Sequence, residues 1–220
     1  MAVIAAVIVF AGFARTFYLN AYYAELNLST VRIVHGIVFS CWLILFVVQT
    51  SLVSAKRIDV HRRLGVFGAA LAVLMLIVGT LMGIHAAKYG TTNPGLPPPT
   101  IFLVVPIFDM IVFAILFAAA FHYRRKADMH KRFMLVATIS ILPAAIARIL
   151  FLFGVQDVLI PAFVLADVLL VACALYDVVI SRRLHPAWLW GGLLFIVSFP
   201  LRLAIAPTAA WQTFARWLIS

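Results

Sequence analysis

Seven apolar runs follow one another along this chain, separated only by short polar breaks. Each run approaches the ~20 residues that a helix rising about 1.5 Å per residue needs to cross a hydrocarbon layer. They predict spans over residues 2–19, 31–54, 64–87, 100–121, 133–153, 158–180 and 188–206. Inside a bilayer the backbone must satisfy its own hydrogen bonds, so runs of this length are helices. The expected fold is therefore all-α, a seven-helix transmembrane bundle forming one domain over residues 1–206. Composition agrees, since 66% of the 220 residues are hydrophobic and 11% charged, against about half and about a quarter in soluble domains. The N-terminal MAVIAAVIVFAGFARTFYLN lacks a basic leader and a cleavage site, and reads as a retained first helix.

A net charge of +10 would point to nucleic acid in a soluble protein, but here the basic residues gather in the breaks. Lys56, Arg57, Arg62 and Arg63, then Arg124, Arg125, Lys126, Lys131 and Arg132, then Arg182 and Arg183 occupy alternate connections. By the positive-inside rule these turns are cytoplasmic, which puts the N-terminus in the cytoplasm and the C-terminus in the periplasm of a bacterial inner membrane. The expected partner is the lipid bilayer, with a membrane-complex subunit or a homo-oligomer in addition and no nucleic acid. Residues 207–220 set Trp211, Phe214, Trp217 and Leu218 at helical spacing beside Arg216, the pattern of an amphipathic helix lying on the outer surface. Trp188, Trp190, Trp211 and Trp217 suit interfacial belts. Cys41 and Cys173 fall inside apolar runs without metal-type spacing.

The basic breaks also share a pattern. KRIDVHRRLG at 56–65 aligns with RKADMHKRFM at 125–134, setting Asp59 over Asp128, His61 over His130 and Arg63 over Arg132. SRRLHPAWLWGG is a fainter third copy in which His185 opens the last span. Arg148 follows His130 by eighteen residues and Arg202 follows His185 by seventeen, so both arginines reach one depth. The bundle thus reads as one leading helix plus three helical hairpins. Asp59 and Asp128, just before the repeat histidines, resemble N-caps. Gly79 and Gly83 form a GxxxG pair that permits close helix packing.

Ionisable groups within a span cost about 2.5–3.5 kcal/mol on insertion scales and therefore turn inward. Asp109, Asp167, Arg148, Arg202 and His35, with Arg15, all fall in the outer half of their spans. Two readings follow. In one, Asp109 or Asp167 pairs with Arg148 or Arg202 and locks helix register. In the other, these six line an outward-half pocket that binds or moves a small ligand, with Pro106, Pro143, Pro161 and Pro200 opening the backbone nearby. The histidines carry a third possibility, haem b held between imidazoles on neighbouring helices. His35 with His85 would form an outer pair, and His61 with His130 a cytoplasmic one. No HExxH, GxSxG, P-loop or GxGxxG is present, so hydrolase, NTPase and dinucleotide chemistry have no support and no catalytic residue is assigned.

With HGIVFSCWLILFVVQTSLV at 35–53, HRRLG at 61–65, HKRFM at 130–134 and LHPAWLWGG at 184–192, the chain resembles a family of uncharacterised bacterial seven-helix inner-membrane proteins over nearly its whole length. That resemblance implies the fold and location and no activity. A weaker likeness is to the cytochrome b561 superfamily, carried by His35–Gly36 with Trp42, His61 and His130. It implies a haem-binding electron-transfer protein. The chain departs from that pattern on the fourth span, where Asp109 stands nearest the position of the expected histidine.

Overall fold

The computed structural model describes residues 1–23, 28–89 and 96–220. The centres of the predicted breaks AYYAELNLST and KYGTTNPGLPPP lie outside the described residues. Among the described residues there is no strand, and the apolar runs fold as helices. α1 spans Ala2–Tyr18, α2 Thr30–Ser54, α3 Ile58–Tyr89, α4 Pro99–His122, α5 Ala127–Leu152, α6 Leu159–Ser181 and α7 Pro186–Ile205; α8 spans Ala209–Ile219. Six of them, α2 to α7, are long and apolar enough to cross a membrane, which makes this a multi-pass membrane protein. α1 has 12 residues of α-helix and 5 of π-helix, at the lower end of the ~17–25 residues with which helices cross a bilayer. Met1, Ile4 and Ala5 at its start line a small apolar crevice with Leu135, Leu169 and Cys173.

The helix boundaries follow the predicted spans except at two basic turns. α3 and α5 begin at Ile58 and Ala127 instead of residues 64 and 133. Hydropathy ends where KRIDVHRR and RKADMHKR begin, but these polar residues are adequate helix formers and continue each helix beyond the apolar core. The N-cap expectation for Asp59 and Asp128 is corrected accordingly. Both carboxylates lie inside the first helical turn, and Lys126 caps α5 without a side-chain bond. Acidic groups there favour the helix dipole, and Asp128 also lies 3.4 Å from Lys131 and 3.5 Å from Arg132.

Call the end holding the three basic turns the basic end and the opposite one the far end. α2 with α3, and α4 with α5, pack as antiparallel hairpins; α7 lies against α4, α5 and α6, while α1 covers α2 and the second half of α5. Lipid offers no hydrophobic drive for such contacts, so close fit holds them together. Gly12 sits where a Cβ would run into the backbone of Ala145, and Cβ atoms on Gly79 and Gly83 would strike Met110 and Pro106 of α4. The GxxxG pair therefore does set the α3–α4 approach. Trp42, Met75, Phe113, Phe133, Val136, Phe163 and Phe195 fill the centre. α5 is interrupted before Pro143, which has no N–H to donate. Next to the interruption the Thr138 hydroxyl donates to Met134 O at 3.0 Å and the Ser140 hydroxyl to Ala137 O at 2.9 Å.

α8 folds back on the far end. The Trp211 indole is buried and donates to Thr100 O at 2.8 Å. Ala215 packs with Ala87, Leu103 and Val104. Phe214 and Trp217 face outward on the other side. A helix with one face on protein and aromatic residues on the other is suited to an interface.

Candidate functional site

The ionisable residues towards the far end separate into distinct settings. Arg202 is fully buried, at 0% exposure. Its Nη1 donates to Asp109 Oδ1 at 2.5 Å and to Val105 O at 3.5 Å, and its Nη2 donates to Ser198 Oγ at 3.3 Å. The Ser198 hydroxyl in turn donates to Phe195 O at 2.6 Å. The guanidinium stands 4.8 Å over the Phe163 ring and 5.9 Å from Phe108, where the ring quadrupoles favour a cation. α4 and α7 are thus joined by a neutral charge pair that leaves one buried donor, Arg202 Nε, without a partner among the described residues. Here the register-locking account describes what is present.

Arg148 has a different environment. It is half-buried, its guanidinium lies 4.2 Å over Phe13 of α1, and Nη1 donates to Ala144 O at 3.0 Å within its own helix. Among the described residues no carboxylate lies within ion-pair distance of it. Its electrostatic neighbours are other basic groups, namely His35 and Arg32 of α2. The His35 ring stacks 4.2 Å from Phe39. Beside this cluster α1 winds as a π-helix over Ala14–Tyr18, a conformation common at functional sites. Gly36 leaves room for the Phe17 ring, and Tyr18 and Ser40 share a 2.7 Å hydrogen bond. Arg148 beneath the Phe13 ring, with Arg32 and His35 as its charged neighbours, has the chemistry to hold an anion.

The other two predicted pocket residues join neither group closely. Arg15 lies with its guanidinium 5.1 Å over Tyr23, towards the far end of α1. Asp167 is half-buried on α6, and among the described residues no hydrogen bond or ion pair reaches it.

The four candidate haem ligands also divide. His61 and His130 open α3 and α5 with ring centroids 6.2 Å apart and planes at 76°. His130 Nδ1 is bonded at 2.8 Å to Ala120 O, which leaves Nε2 free. A histidine ligand is oriented by such a backbone bond. Among the described residues His61 Nδ1 is buried without a partner, as is Oε1 of Gln49, whose Nε2 donates to His61 O at 3.3 Å. This pair therefore has the donor chemistry of an axial couple. The His35–His85 pair is arranged differently. His35 contacts Phe39 and His85 lies against Tyr89, with no ring contact between the two histidines. Asp109, at the place of the missing ligand, is taken up by Arg202. Among the described residues no three of His, Cys, Asp and Glu form a metal-holding group.

One charged network escaped the sequence reading. Arg132 is buried at the basic end, and its Nε and Nη2 donate to the two oxygens of Asp177, both at 2.8 Å. The Trp188 indole donates to Asp177 Oδ2 at 2.9 Å, so one carboxylate ties the starts of α5 and α7 to the end of α6. A carboxylate near the end of an apolar span, facing a basic turn, was the available signal. The adjoining His185 caps α7 by accepting from the Ala187 N–H at 3.2 Å. Partial burial, and then the Arg132 charge, hold its imidazole below the usual histidine range. No family model, curated protein or solved structure matches the chain.

Proposed function

We propose that this is a seven-span inner-membrane protein whose outward half binds a small anion, such as a carboxylate or phosphate, at Arg148, Arg32 and His35. In this reading the basic turns lie in the cytoplasm, α1 is the leading span, and three hairpins on one repeated pattern follow it. Arg15 contributes positive charge near the entrance. The single observation that carries the reading is Arg148, an arginine within a span that no carboxylate among the described residues neutralises. Buried basic groups without acidic partners are costly unless a ligand supplies the charge. Asp109 and Arg202 are then the scaffold beside the site and do not belong to the site itself. Binding alone, transport, or service as a receptor subunit of a larger complex would all use the same contacts.

The test is thermal unfolding in detergent, at constant ionic strength, with inorganic phosphate, acetate or succinate. A ligand at a hundred times its Kd stabilises by about 2.7 kcal/mol, so at least one anion should raise Tm by several degrees in the parent protein. Arg148→Gln should abolish that rise while keeping the fold. Equal shifts in parent and variant would refute the site.

A second reading rests on the His61–His130 pair and its anchored Nδ1. These two residues would hold a b-type haem at the cytoplasmic end, which would supply one-electron exchange with a membrane carrier. Dithionite-reduced minus oxidised spectra of protein expressed with haem supplementation decide it. An α-band absent from the parent protein would eliminate this reading, and a band retained by both His61→Ala and His130→Ala would place haem elsewhere.

A further inference from the structure

We propose that the face of α6 around Asp167 docks a second transmembrane segment carrying a basic side chain at the same depth. Asp167 lies eight residues inside the far end of α6, about 12 Å along the helix. Phe163, Ala166 and Leu170 on one side of it are buried in the bundle, whereas Val164, Val168, Val171 and Leu175 on the other are exposed. Those four repeat at intervals of four, three and four residues, the spacing of a seam that packs along a neighbouring helix. The carboxylate stands at the edge of that seam.

Among the described residues nothing neutralises it. The helices packed against α6 are α5 and α7, and among the described residues none of their basic groups pairs with Asp167. Arg148 lies over Phe13, Arg202 is paired with Asp109, and Arg132 is held by Asp177 at the opposite end. No charged group among the described residues acts on Asp167. An unpaired carboxylate at this depth is costly in hydrocarbon, and intramembrane carboxylates find basic or hydrogen-bonding partners on neighbouring helices. Charge complementarity therefore selects a segment bearing lysine or arginine. A second copy docked across a two-fold axis would instead set Asp167 against Asp167. The inference rests on the membrane reading alone and is independent of the anion site.

The test uses the full chain, donor-labelled in phosphatidylcholine vesicles, with a synthetic leucine–alanine transmembrane helix as acceptor. One probe carries a single lysine eight residues from its end, one has leucine there, and one has the lysine moved seven residues deeper. Energy transfer should be strongest to the first probe. Asp167→Asn should weaken that association about fivefold, the effect of one interhelical polar contact. Asp167→Ser, carried in parallel, should behave likewise, and both variants should reconstitute normally because the carboxylate bonds to no described residue. Equal association of parent and variants with the matched lysine probe overturns the proposal. Self-association of the parent that is lost in Asp167→Asn, with no preference for the lysine probe, overturns it in favour of a second copy.

Discussion

Arg202 and Arg148 occupy corresponding positions, seventeen and eighteen residues beyond His185 and His130, yet their surroundings are opposite in character. Arg202 is sealed, with Asp109 on one side, Phe163 beneath it and Ser198 one turn away. Arg148 has the ring of Phe13, one carbonyl of its own helix and two basic neighbours. The difference lies in what the adjoining helix supplies. α4 presents a carboxylate to α7, whereas α1 presents an apolar surface and a π-helical turn to α5. An equal depth in the membrane therefore predicts that an arginine must be accommodated and leaves the means open. One is accommodated by the protein, and the other is available to a ligand.

Substitution at the sealed pair is the largest test of that contrast. Arg202→Gln or Asp109→Asn should each destabilise by about 3–5 kcal/mol, because each leaves a buried charge without its partner. Replacing both with leucine should recover most of the loss. Denaturation in mixed micelles checks it, and a small effect from either single variant would remove the distinction from Arg148. The Arg132–Asp177 pair comes next. It is bidentate but less deeply enclosed, with Asp177 21% exposed, and Asp177→Asn should cost about 1.5–3 kcal/mol. That variant should leave any anion response at Arg148 unchanged, since it acts at the other end of the bundle.

The smallest expected effect concerns pH. Burial first, and then Arg132, lower the His185 imidazole below its ordinary range in the folded protein. A lowered folded-state value means its contribution is complete above the unfolded-state value of about 6.5 and is lost as pH falls below it. Protonation also removes the lone pair that accepts from Ala187 N–H. The Tm of the parent should therefore decline between about pH 7 and 5.5 slightly more than that of His185→Asn, since asparagine caps a helix without titrating. Identical pH profiles would show that this cap does not titrate on folding.

Hydropathy made most of the architecture legible, because the apolar length that a bilayer demands is local information. It failed at Ile58 and Ala127, where helix continues through polar residues that a membrane window cannot register. The Asp109–Arg202 partnership was one of several combinations open to the sequence, and selecting it required knowing that α4 and α7 are neighbours. The repeat aligned Arg63 with Arg132, but one is exposed and the other buried against Asp177, since a repeat preserves position and not surroundings. Asp177 was overlooked because a single acid near a helix end looks interfacial until Arg132 and Trp188 converge on it. Arg32, in the polar start of α2, was likewise hidden until the fold set it near Arg148.

The most direct measurement is arginine-specific dicarbonyl labelling of the reconstituted protein, read residue by residue by mass spectrometry, with and without the anion that raises Tm. The account predicts that Arg148 is modified, that the anion slows its modification, and that Arg202 stays unmodified until the protein unfolds. Labelling of Arg202 as fast as Arg148, or an Arg148 rate indifferent to the anion, would contradict it.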